Sequence, residues 1–190
     1  MTHSRWFVAA IALTSIASIC LAQPAEKPMD KPAPAMPAPD AKDPNTPRET
    51  KDYNLPKHDA GKPALAIEGY DPVAYFPEGG GKPAKGDTKF AYTYRGVEYH
   101  FATQANLDAF KNDPTKYEPA YGGWCAWAMV DGKKVEIDPK AFRITGGRLF
   151  LFYTDLFTDT RNSWKKDEPK YAAQADGHWK TISKEEAKKK

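Results

Sequence analysis

The sequence is poor in the residues from which metal centres and disulfide frameworks are built. Its 190 residues include two cysteines and four histidines, and the cysteines are Cys20 and Cys125. There is no Cys-x-x-Cys pair, which excludes a dithiol exchange centre. A tetrahedral zinc site needs four Cys or His ligands, so a Cys₄ or Cys₂His₂ site within one chain is excluded once Cys20 is lost.

A surplus of charge of one sign is also lacking. The chain has 28 basic and 25 acidic residues, which gives a formal net charge of +3. The basic cluster at residues 188–190 belongs to a short basic tail that we place at 184–190. Nucleic-acid-binding domains concentrate Lys and Arg on one face, so we expect no nucleic-acid partner.

The N-terminus has the layout of a secretory signal peptide. Arg5 precedes an apolar run at residues 6–17, and Cys20 and Ala22 supply the small residues of a cleavage site. The run is shorter than a transmembrane helix requires. We predict removal of residues 1–22, a periplasmic or secreted protein without a transmembrane span, and Cys125 as its one remaining thiol.

Residues 23–62 have the composition of a linker. They hold nine of the 17 prolines, and Tyr53 is their one aromatic residue. Such a stretch has too little apolar surface to offset its ordering entropy, so we predict a disordered Pro/Ala/Lys-rich tether. The folded domain is predicted at residues 63–183, which is the size of one ordinary domain.

Two alternating aromatic segments, at residues 90–94 and 97–101, surround a two-residue break and predict a β-hairpin. A second hairpin is predicted at residues 142–153. Thr103 is a candidate N-cap for a short helix, and Asp71 before Pro72 is a candidate turn cap. The predicted fold is α+β, a small antiparallel sheet built from two hairpins with short helices packed around it.

Four stretches resemble the YHS domain family, in particular its secreted bacterial form. They are residues 69–76, 94–103, 106–110 and 114–125, and the resemblance extends over about residues 65–138. The resemblance implies a fold related to treble-clef modules. It also implies association with metal, because YHS modules accompany copper-transporting ATPases. Here Tyr99-His100 is followed by Phe101, so the serine of the family name is absent.

A soft-metal site is the leading hypothesis for the function. Cys125 and Met129 are four residues apart, which places both sulfurs on one side if the segment is helical. Thiolate and thioether sulfurs suit copper, and His100 is the third candidate ligand. The alternative is that these side chains fill space in the core, where free Cys and Met are common.

An aromatic-lined cofactor pocket is the second hypothesis, with haem as the most concrete ligand. Tyr70, Tyr75, Tyr121 and Trp124 are the candidate lining residues. Iron in such a pocket takes His or Cys as an axial ligand. The alternative is again a core that is filled with large rings.

Two further hypotheses for the function stay open. Cys125 acts as a catalytic nucleophile if a base such as His100 lies beside it. Otherwise the domain has a structural or interaction role without a ligand. We favour a binding module over an enzyme and assign no catalytic residue.

Overall fold

The structure is a computed structural model that describes residues 52–55 and 64–185. The predicted signal peptide, the predicted linker apart from residues 52–55, and residues 186–190 of the predicted basic tail lie outside the described residues. The predicted α+β class is confirmed, since the described residues form two small sheets surrounded by short helices. The relation to treble-clef modules stays a prediction.

The first sheet contains the first predicted hairpin. Strands β2 (Asp87–Tyr94) and β3 (Val97–Phe101) pair antiparallel, and β1 (Ala64–Leu65) pairs parallel with β3. Alternation along β3 buries Val97, Tyr99 and Phe101 and turns the intervening residues to the other face, as a pleated strand requires.

The second predicted hairpin forms a sheet of its own, so the two hairpins do not join into one sheet. It consists of β4 (Asp138–Thr145) and β5 (Arg148–Phe152), which pair antiparallel. The four residues Leu149, Phe150, Leu151 and Phe152 are all buried. This strand is therefore covered on both faces, which explains its continuous apolar sequence.

Side-chain caps define where several helices begin. Thr103 accepts a hydrogen bond from the Asn106 amide at the first helix, and Asp113 and Asp167 cap the second and fifth helices in the same way. The helices are α1 (Gln104–Asn112), α2 (Pro114–Tyr117), α3 (Ala126–Val130), α4 (Arg161–Trp164) and α5 (Glu168–Ile182).

The buried apolar side chains form two clusters. The first lies around β3 and α1 and includes Tyr75, Tyr99 and Phe110. The second lies around β5, α3 and α5 and includes Met129 and Trp164. Strand β5 contributes to both, since Leu149 and Leu151 belong to the first cluster and Phe150 and Phe152 to the second.

Residues 52–55 of the predicted linker pack against the folded domain. Tyr53 is buried, and its hydroxyl donates to Glu118 at 2.7 Å. The Asn54 amide donates to the Gly122 carbonyl at 2.9 Å. We call residues 52–55 the strap, because they cross the backbone just before Cys125.

No helix among the described residues combines the length and the apolar character that crossing a membrane requires.

Candidate functional site

A left-handed turn precedes the cysteine. Tyr121 has φ 57° and Gly122 has φ 60°, and the Trp124 amide closes the turn by donating to the Tyr121 carbonyl at 3.1 Å. A left-handed backbone is unstrained for glycine but costs a tyrosine about 1 kcal/mol. The buried contacts of the Tyr121 ring hold the turn in place despite this cost.

The Cys125 thiol is buried and has two polar neighbours. Cys125 is 1 % exposed. Its Sγ accepts a hydrogen bond from the Tyr153 amide at 3.3 Å. The Thr160 hydroxyl lies 3.8 Å from Sγ and donates to the Tyr153 carbonyl at 2.8 Å. Because the Thr160 proton is used there, the Thr160 oxygen is free to accept the thiol proton.

Met129 lies one helical turn after Cys125 and is also buried. Its amide donates to the Cys125 carbonyl at 3.0 Å, which begins α3. The Met129 side chain packs within the second cluster. Cys125 itself is the N-cap of α3, with a ψ of 117° outside the helical range, so the placement of both sulfurs on one side stays a prediction.

His100 lies on β3, on the face opposite to Tyr99. Its Nε2 is 2.8 Å from Glu98 Oε1, two residues earlier on the same face. The backbone of Gly86 packs so closely against this residue that a Cβ there would stand 2.3 Å from the His100 carbonyl carbon. His100 is hydrogen-bonded to Glu98 on β3, whereas Cys125 is hydrogen-bonded to Tyr153 and Thr160. The structure therefore does not bring the histidine to the two sulfurs.

Two of the candidate pocket aromatics, Tyr70 and Tyr75, belong to the first cluster. Tyr70 is partly buried, with the Lys85 ammonium 4.3 Å from its ring centre. Tyr75 is 1 % exposed, and its hydroxyl donates to the Pro139 carbonyl at 2.8 Å. Burial raises the pKa of Tyr75 far above the usual tyrosine value, so this phenol stays neutral.

The other two aromatics, Tyr121 and Trp124, belong to the second cluster. The Tyr121 hydroxyl donates to Asp176 at 2.8 Å, and Arg148 binds the same carboxylate through two nitrogens. Burial, with the Asp176 charge next in importance, raises the pKa of Tyr121. Trp124 Nε1 is buried without a hydrogen-bond partner among the described residues. The four rings therefore divide between two packed clusters.

A buried carboxylate that the sequence predicted only as a turn cap connects three segments. Asp71 is fully buried, and its Oδ1 accepts from the amides of Val73 and Ala74 at 2.8 and 3.2 Å. Its Oδ2 accepts from the Ala102 amide at 2.8 Å and from Asn106 Nδ2 at 2.6 Å. Four donors compensate the loss of water around this charge, which makes Asp71 a structural centre of the first sheet.

The sequence also gave no indication of a buried charge pair formed by Arg95 and Glu118. Arg95 Nη1 lies 3.7 Å from Glu118 Oε2, and both side chains are buried. The hydroxyl of Tyr53 donates to the same carboxylate, so this pair also anchors the strap. The backbone of Arg95 is left-handed, with φ 51° at the first hairpin turn. A charged residue in a hairpin turn gives no sequence signal of such burial.

Within residues 52–55 and 64–185, no group of three or more His, Cys, Asp or Glu side chains has the arrangement of a metal site. Cys125 and Met129 are a pair of sulfur-containing residues, and thiolate and thioether sulfurs are ligands that suit a soft metal ion.

The family model of the YHS domain matches residues 80–121, which confirms the resemblance over that segment. The match covers the first hairpin, α1 and α2. It includes His100 and stops before Cys125 and Met129. The comparison with curated proteins and the comparison with solved structures each found no match.

Proposed function

We propose, from the YHS domain at residues 80–121, that the protein is a binding module for a soft metal ion of the copper class, and that it is not an enzyme. Cys125 is the principal ligand and Met129 the second sulfur. The location that we propose is periplasmic or secreted, which follows from the signal-peptide pattern of residues 1–22.

The observation that carries this proposal is the hydrogen bond from the Tyr153 amide to Cys125 Sγ. A metal ion takes the place of the thiol proton, which here is directed toward Thr160. The amide donor remains and stabilises the negative sulfur that results. Cys125 and Met129 are both buried, which keeps competing water away, and Met129 provides a thioether that suits Cu(I).

The donor set fits Cu(I) better than zinc or haem. His100 is held by Glu98 in another part of the fold, so a mixed sulfur–imidazole site would need a rearrangement of β3. A haem pocket would need Tyr70, Tyr75, Tyr121 and Trp124 to line one recess, whereas they pack in two clusters. A structural role without any ligand is the outcome that the following experiment separates from metal binding.

Titration of residues 23–190 with Cu(I), in competition with a coloured Cu(I) chelator, tests the proposal. We expect one equivalent to bind, binding to be lost in Cys125→Ser, and affinity to fall about tenfold in Met129→Leu, which keeps the side-chain volume. His100→Ala is the matched control and should bind as the unmodified chain does. Binding that survives Cys125→Ser, or no binding at all, would overturn the proposal.

A further inference from the structure

Two segments of the chain share an unusual backbone. The turns Ala66–Gly69 and Ala120–Gly123 both begin with alanine, pass through consecutive left-handed residues and end with glycine. In each, the amide of the following aromatic residue closes the turn. The next residue is Asp71 after the first turn and Cys125 after the second.

The hairpins that follow have the same register. In the first, Asp87 pairs with Phe101, and the pairing then shifts at an irregularity in β2. In the second, Asp138 pairs with Phe152, and the same shift follows in β4. Every pair of the second hairpin is obtained by adding 51 to the residue numbers of the first, as 87 becomes 138 and 101 becomes 152.

The helices after the hairpins also correspond. Phe110 of α1 packs on two rings of β3 with centroids at 4.9 and 5.1 Å. Trp164 of α4 packs on the two equivalent rings of β5 at 5.0 and 5.5 Å. Three residues after each of these rings stands an aspartate, Asp113 or Asp167, that caps the next helix.

The buried polar contacts of Asp71 and Cys125 correspond as well. Asp71 accepts the amide of the residue that follows β3, and Cys125 Sγ accepts the amide of Tyr153, which follows β5. Asp71 also contacts a side chain in α1, and the equivalent contact of Cys125 is Thr160, at the start of α4. The two residues therefore occupy the same position in two similar surroundings.

We infer that residues 120–171 are a second YHS-type unit, a diverged copy of the unit formed by residues 66–117, and that Cys125 takes the place of the structural aspartate Asp71. The first unit keeps a carboxylate at this position and the second carries a sulfur. The position in the second unit therefore accepts a carboxylate side chain. This inference does not depend on metal binding, and none of its measurements includes a metal.

Thermal unfolding of Cys125→Asp and Cys125→Asn tests the inference. The Asp and Asn side chains have nearly the same volume, so the difference in melting temperature between the two variants reports on the charge. We expect the aspartate variant to melt about 5 °C above the asparagine variant at neutral pH, because hydrogen bonds to a carboxylate are the stronger ones. Ala126→Asp is the control, since that residue is fully buried one position along and should give a chain that does not fold.

A second measurement uses the Tyr153 amide proton. In Cys125→Asp it should move downfield in the NMR spectrum to the range of the Ala102 amide, which already donates to a carboxylate. A Cys125→Asp chain that melts at or below Cys125→Asn, or that fails to fold as Ala126→Asp does, would overturn the inference. An unmoved Tyr153 amide in a folded variant would overturn it as well.

Discussion

Replacing Gly122 by alanine tests how the strap is attached to the domain. A Cβ at this position would lie 1.9 Å from the carbonyl oxygen of Asp52, which real contacts never show. The clash is between the new Cβ on the Gly122 backbone and the backbone of Asp52, so no side-chain rotation can relieve it. The strap must therefore detach from the domain. The alanine must also adopt the left-handed φ of 60° at this position.

The loss of the strap removes the burial of Tyr53, worth about 4 kcal/mol, and three hydrogen bonds at about 1 kcal/mol each. Its four residues regain about 5 kcal/mol of conformational freedom in the native state, which leaves a net loss of about 2 kcal/mol. The left-handed alanine adds about 1 kcal/mol. We therefore expect Gly122→Ala to lower the free energy of unfolding by about 3 kcal/mol.

Gly146→Ala is the matched control. Gly146 has φ 56°, and a Cβ there meets nothing within 4 Å, so this variant carries only the left-handed cost of about 1 kcal/mol. Urea unfolding of both variants measures the difference, and in a Tyr53→Ala background it should nearly vanish. Equal destabilisation of Gly122→Ala and Gly146→Ala would refute the docking of the strap.

Three further outcomes are expected. Asp71→Asn should lower the free energy of unfolding by about 3 kcal/mol in urea, because a buried charge that accepts four hydrogen bonds becomes a mismatched amide; a loss below about 1 kcal/mol would contradict this role. Tyr75 and Tyr121 have raised pKa values, so the stability that they contribute is complete below the ordinary tyrosine pKa and falls as pH rises above it. Ultraviolet titration should find both phenols neutral until the chain unfolds, and ionisation of Tyr75 and Tyr121 in the folded chain would contradict their burial. Leu156 and Phe157 are 93 % and 97 % exposed, so the double change to serine should leave the urea midpoint unchanged, and a lowered midpoint would show that the loop is packed.

The hairpins were predictable because their patterns are local. Large aromatics at every second position of β3 predict a strand with one buried face, and Tyr99 and His100 take opposite faces as that pattern requires. The N-cap at Thr103 followed from the same kind of reasoning. What the pattern does not contain is the pairing partner of each hairpin, since the parallel contact of β1 with β3 depends on residues far apart in sequence.

Neither the strap nor the second unit was predicted from the sequence, and the reasons differ. The composition around Tyr53 is that of a linker, and only the pocket beside Glu118 makes this ring part of the core. The correspondence between the two units is carried by left-handed turns, register and caps, which leave few identical residues. Cys125 and Asp71 occupy equivalent positions but share no chemistry that a sequence comparison would score.

The distribution of indole rings gives the molecule two built-in optical reporters. Within residues 64–185, the tryptophans Trp124, Trp127, Trp164 and Trp179 all follow residue 117, whereas the first unit contains tyrosine and phenylalanine as its large rings. Emission excited selectively at indole therefore follows the half of the fold that carries the sulfur. Tyrosine absorbance also reports on the first unit. Denaturation curves from the two signals therefore coincide only if both units unfold in one cooperative step.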